Sequence, residues 1–154
     1  MNPKELSFDQ EGRDKLLNGI SKISKAVKST LGPLGKTVLI ESPNHRGGIT
    51  ITKDGVTVAK SIDLEDSVEN LAITMMKEAA DRTATSAGDG TTTAIVLAES
   101  IVKEGMQLIQ RNPDINTTQL IRDIKNCSDE VIKSLTSSSK KVTGKTLQHV
   151  ASIS

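Results

Sequence analysis

A mainly helical bundle carrying one small β-hairpin is the fold class this sequence predicts. Three observations carry the expectation. Apolar residues recur at three- and four-residue spacings along four long stretches. One pair of short β-branched runs flanks a turn. The residues left to build a core are Leu, Ile, Val, Ala and Met, with one Phe (Phe8) and neither Tyr nor Trp. A chain of 154 residues amounts to one domain or a piece of a larger one.

The elements follow in order. Leu16, Ile20, Ile23 and Val27 mark one face of a helix that starts near Asp9, a plausible N-cap, and stops at Gly32-Pro33. Lys36 to Glu41 reads as a strand, Pro43 to Gly48 as a turn, and Ile49 to Thr52 as the returning strand, ending at Asp54-Gly55. From about Leu64 to Thr85 the period is helical again, with Val68, Leu71, Ala72, Met75, Met76, Ala79 and Ala80 forming an apolar stripe. A third helix, Thr91 to Gln110, is apolar on much of its surface and is expected to be buried. Asn116 and Gln119 resemble a capping box ahead of Leu120, Ile124, Cys127, Val131 and Leu135, which places Cys127 in the core. Thr136 to Ser139 reads as a linker, and Thr143 to Ser154 as a weak helix without a closing cap, which predicts a larger fold continuing from it.

Composition narrows the function. Lys and Arg total 20 against 19 Asp and Glu, a net charge of +1, which argues against a dedicated nucleic-acid binder. The near absence of aromatics removes stacking platforms for single strands. No run approaches the roughly 18 apolar residues of a membrane span, and the N-terminus lacks an apolar signal core. The single Cys fits a reducing compartment. His45 and His149, far apart, form no metal cluster.

Three motifs carry chemistry. In Gly88-Asp89-Gly90-Thr91-Thr92-Thr93, two glycines allow close backbone approach, the following helix start offers N–H groups, and Asp89 is a hard ligand suited to Mg²⁺. Together they suit a nucleotide-phosphate site; an N-capped helix behind a glycine turn is the equal alternative. Thr30-Leu31-Gly32-Pro33 offers helix-terminal carbonyls to a cation or a nucleotide edge, or is simply a helix stop. In Thr52-Lys53-Asp54-Gly55, Lys53 can meet phosphate and Asp54 can orient a water, or the stretch is an ordinary Asp-Gly turn. Gly35-Lys36-Thr37 is not a P-loop, because Thr30 stands where Gly is required and the order is helix, loop, strand.

Taken together, the chain resembles the group I chaperonins of the GroEL type. The resemblance runs through Thr30-Leu-Gly-Pro33, Ile51-Thr-Lys-Asp-Gly-Val-Thr-Val-Ala59, Asp63-Leu-Glu-Asp66-x-x-Glu69-Asn70 and Ala87-Gly-Asp-Gly-Thr-Thr-Thr-Ala94. It continues with Val96-Leu-Ala98 and Val150-Ala-Ser-Ile-Ser154. It implies that residues 1–134 are the N-terminal half of an equatorial ATP-binding domain and 135–154 the beginning of an intermediate, hinge domain. The apical domain and the C-terminal equatorial half would then lie outside this chain. Thr30, Leu31, Gly32 and Pro33 would line the nucleotide, Lys53 lie near its phosphates, Asp54 take part in hydrolysis, and Asp89 ligate Mg²⁺. Gly90, Thr91, Thr92 and Thr93 match the phosphate-binding helix start; Thr30, Lys53 and Thr92 match positions associated with K⁺; Ser154 matches the pocket edge. The hairpin from Lys36 to Thr52 matches a stem-loop that contacts the neighbouring subunit. Implied partners are other subunits of a homo-oligomeric ring, a GroES-type co-chaperonin and unfolded client proteins, in the cytoplasm, an organelle matrix or, for a viral protein, the host cytoplasm. The implied activity is ATP-driven protein folding, with little or no ATPase activity in these 154 residues alone. The alternative is a free-standing module that docks on or modulates a complete ring.

Overall fold

The first apolar stripe folds as its spacing demands. In the computed structural model, which describes residues 9–41 and 48–153, α1 (Asp9–Lys28) buries Ile23 and Val27 completely and packs Ile20 beside them. Asp9 is the first helical residue, and its side chain lies outside the described residues. Bonds from the Thr30 N–H to the Val27 carbonyl and from the Leu31 N–H to the Lys28 carbonyl tighten the exit, and Gly32, at φ +77°, reverses the chain. Strands β1 (Val38–Glu41) and β2 (Ile49–Thr52) pair antiparallel, Val38 with Thr52 and Leu39 with Ile51. Alternation sends Val38 and Ile40 against the core and leaves Leu39 and Ile51 outward. The expected turn and its His45 fall at residues 42–47, outside the described residues.

The chain then enters a helix the sequence reading did not anticipate, α2 (Gly55–Ser61). Asp54 is its N-cap, so the expected turn is a helix start, and Val58 and Ala59 enter the core. In α3 (Ser67–Ala87), capped by Asp66, the broad expected stripe divides: Ala72, Met76 and Ala80 are buried, whereas Leu71 and Met75 face outward, and Ile73, which the expected stripe omitted, is fully buried. In α4 (Thr91–Arg111), Thr91, Ile95 and Glu99 are buried and Leu97, Ile101 and Val102 are exposed. The expectation of a largely buried helix is therefore corrected. Within this part of the chain, other elements cover one side of α4 only.

Residues 1–108 and 109–154 are two separate compact units. The first holds the core of Ile23, Val27, Val58, Ala59, Ile73, Met76, Ala80 and Ile95. The second contains the end of α4, then α5 (Thr117–Ser138) and α6 (Lys145–Ile153). Asn116 caps α5 as expected, accepting the Gln119 N–H at 3.0 Å. No residue of α5 is buried. Cys127 is accordingly exposed rather than in a core, because no element of this unit covers the stripe it sits on. The stretch read as a linker is the last turn of α5: the hydroxyls of Thr136 and Ser138 donate back to carbonyls four residues earlier, and only Ser139 stands outside as C-cap. No helix among the described residues is long and apolar enough to cross a membrane.

Candidate functional site

Two of the three chemical motifs meet directly against the third at Gly55. A Cβ built on Gly55 would lie 2.1 Å from Thr92 Oγ1 and 3.2 Å from Thr30 Oγ1. That approach is tighter than any side chain permits, so the hydrogen of Gly55 is what admits the Thr92 hydroxyl. The start of α2, the exit of α1 and the start of α4 thus converge on one spot. Thr30 is held there by its own hydroxyl, which donates to the Val27 carbonyl at 2.8 Å.

A charged clasp fixes this arrangement. Glu99 of α4 accepts from Ser24 Oγ at 2.7 Å and from Lys28 Nζ, both on the last turns of α1. Burial pushes the Glu99 carboxyl up, but the bonds from Lys28 and Ser24 outweigh it and hold the group below the usual carboxylate range. A second clasp ties α1 to α3. Lys22 and Asn18 both donate to Glu69, and Lys15 pairs with Asp66 at 2.9 Å.

Asp54 uses both carboxylate oxygens. Oδ1 accepts the Val56 N–H at 3.2 Å, and Oδ2 accepts the Thr57 N–H at 3.0 Å and the Thr57 hydroxyl at 2.6 Å. The Thr57 hydroxyl is the main reason the Asp54 carboxyl sits below its ordinary range; slight burial opposes it, and the two amides and Lys60 add to it. Asp54 is ionised at neutral pH, so it can accept a hydrogen bond from a water and is a poor proton acceptor.

Gly88 closes α3 as its left-handed C-cap at φ +78°, and Gly90 follows at φ +89°. Between them Asp89 is exposed, with Oδ1 accepting the Gly90 N–H at 2.6 Å. Thr91 is buried, Thr92 half-buried and Thr93 exposed at the opening turn of α4. Lys53 is exposed at the junction of β2 and α2, and Leu31 and Pro33 are exposed beyond α1. Ser154 lies outside the described residues.

No group of three or more His, Cys, Asp or Glu side chains that could hold a metal ion occurs among the described residues. Asp89 is a single exposed carboxylate ahead of α4, a hard oxygen donor of the kind Mg²⁺ accepts. Two grooves of the first unit are lined by other residues. One of about 350 Å³ runs between α1, α3 and α4, lined by Leu16, Ile20, Met75, Met76, Val102 and Met106. A hollow of about 640 Å³ follows the polar face of α3. Sequence reading missed three residues here. Gly55 was read only as half of an Asp-Gly turn, Thr57 lay beyond that turn in a stretch given no element, and Glu99 sat inside an apparently apolar helix. A signal for the helix start was present, because Asp is a preferred N-cap whose carboxylate takes the amide of the third residue on, here Thr57.

The model of the TCP-1/cpn60 chaperonin family matches residues 23–154. Among solved structures, the chain is similar to the chaperonin gp146 from the bacteriophage EL 2 (Pseudomonas aeruginosa), crystallised in two forms in the presence of ATP-BeFx. In one form the TM-score is 0.72 at 32% identity, covering 86% of this chain and 22% of that one. In the other it is 0.70 at 32% identity, covering 87% and 23%. The chain thus spans less than a quarter of the length of these relatives.

Proposed function

Because the chain belongs to the TCP-1/cpn60 chaperonin family, we propose that it is the N-terminal ATP-binding segment of a chaperonin subunit whose ATP hydrolysis drives protein folding. The observation that carries this reading is the convergence at Gly55, where the Thr30 and Thr92 hydroxyls of two other chain segments occupy the space a side chain on this helix start would need. ATP-BeFx with the phage relative supports a nucleotide as ligand.

In this reading residues 1–134 are half of an equatorial domain and 135–154 begin a hinge domain. Thr30, Leu31, Gly32 and Pro33 flank the nucleotide, and Ser154 lies at its edge. Gly88, Gly90, Thr91, Thr92 and Thr93 present backbone and hydroxyl donors to phosphate, with Lys53 nearby. Asp89 holds Mg²⁺, which supplies charge neutralisation on the phosphates. Thr30, Lys53 and Thr92 attend a K⁺ ion. Asp54 orients the attacking water. Partner subunits form a ring, a GroES-type lid and unfolded clients engage parts beyond this chain, and the setting is cytoplasmic, an organelle matrix or a host cytoplasm.

The test is Mg-ATP hydrolysis by the complete gene product. Asp89→Ala is expected to abolish turnover, and Asp54→Ala to slow it while leaving nucleotide affinity nearly intact, since a water-orienting group acts mainly in the transition state. Full turnover in Asp89→Ala would sink the assignment.

A further inference from the structure

We propose that Thr57 is a positioning residue for hydrolysis, its hydroxyl locking the Asp54 carboxylate in the one orientation that presents it to the attacking water. The inference rests on the role given to Asp54 above.

Asp54 is exposed, and an exposed Asp ordinarily samples several rotamers. Here that freedom is removed from three sides. Thr52 Oγ1 accepts the Asp54 N–H at 3.0 Å and fixes the backbone. The Val56 amide holds Oδ1, while the Thr57 amide and hydroxyl together hold Oδ2. Of these bonds the hydroxyl's, at 2.6 Å, falls in the charge-assisted range of O–H donors on carboxylates. It is also the only one supplied by a side chain to that carboxylate among the described residues. Helix capping does not require it, because the two amides already satisfy the cap. The hydroxyl therefore has a separable effect. It keeps the carboxylate aimed, which bears on turnover rather than on nucleotide affinity.

The experiment compares wild type, Thr57→Val, Thr57→Ala, Thr57→Ser and Asp54→Ala in the complete gene product. Thr57→Val keeps the shape without the hydroxyl, and Thr57→Ala serves if the valine variant fails to fold. Both are expected to lower kcat by about 3- to 10-fold, with KM for ATP nearly unchanged. Thr57→Ser, which restores the hydroxyl, is expected to return the rate to wild type. The inference is overturned if both hydroxyl-less variants keep wild-type kcat, if the loss appears in KM alone, or if Thr57→Ser is as slow as Thr57→Val. Slow Asp54→Ala beside normal Thr57 variants overturns the inference alone. Wild-type turnover in Asp54→Ala removes the role of Asp54 and the inference with it.

Discussion

At residue 55 one hydrogen atom stands where any side chain would displace the Thr92 hydroxyl. Overpacking of this kind costs about 1–3 kcal/mol. Gly55→Ala is therefore expected to lower the melting temperature and to weaken ATP binding by at least about tenfold through the displaced Thr92, a combination that calorimetry reads in one sample. Unchanged affinity in a folded Gly55→Ala would separate this junction from the nucleotide. The same residue shows what a sequence can and cannot disclose about a site. Thr30, Asp54, Asp89 and Thr92 stood out because glycines, hydroxyls and carboxylates in those patterns have known chemistry. The meeting of Thr30 and Thr92 at Gly55 did not, because no spacing rule relates residues on three different elements.

Among the elements, the long helices were legible and their partners were not. The stripe of α3 was visible as a period, yet only the structure separates its buried side from its outer one. Ile73 is fully buried and Leu71 is 56% exposed. Ile73→Ala is expected to cost about 2–5 kcal/mol in urea unfolding, through lost burial and the cavity left behind. Leu71→Ala should stay within about 0.5 kcal/mol, as surface substitutions do. Equal losses would mean that both sides of α3 are covered in solution. Helix α2 escaped notice for a local reason. Val56-Thr57-Val58 is a β-branched run, and its intrinsic preference opposes the helix that Asp54 starts and the core completes. Thr136 to Ser138 misled in the opposite sense. Their hydroxyls bond back onto the helix that such residues usually end.

Over the whole molecule, the carboxylates of Asp54, Asp66, Glu69 and Glu99 are all held below their usual range. For Glu69 the main cause is Lys22, opposed by burial and reinforced by Asn18. Groups depressed in the folded state bind fewer protons than in the unfolded chain, so their contribution is present above the unfolded value of about 4 and disappears as pH falls through the folded one. The melting temperature is therefore expected to be nearly flat from neutrality to about pH 5 and to drop below about pH 4. Glu69→Gln should flatten that drop, and a parallel acid profile in this variant would remove Glu69 from the account. The junction at Gly55 has one more consequence, which concerns the order of events in folding. Its three contributors come from chain segments that are not neighbours in sequence, so each must close a loop before the junction exists. A ligand held there binds the assembled chain alone and adds its binding free energy to the native state. A chain that has not finished docking α1, α2 and α4 has nothing to offer it, and occupancy of the site becomes a report that this part of the fold is complete.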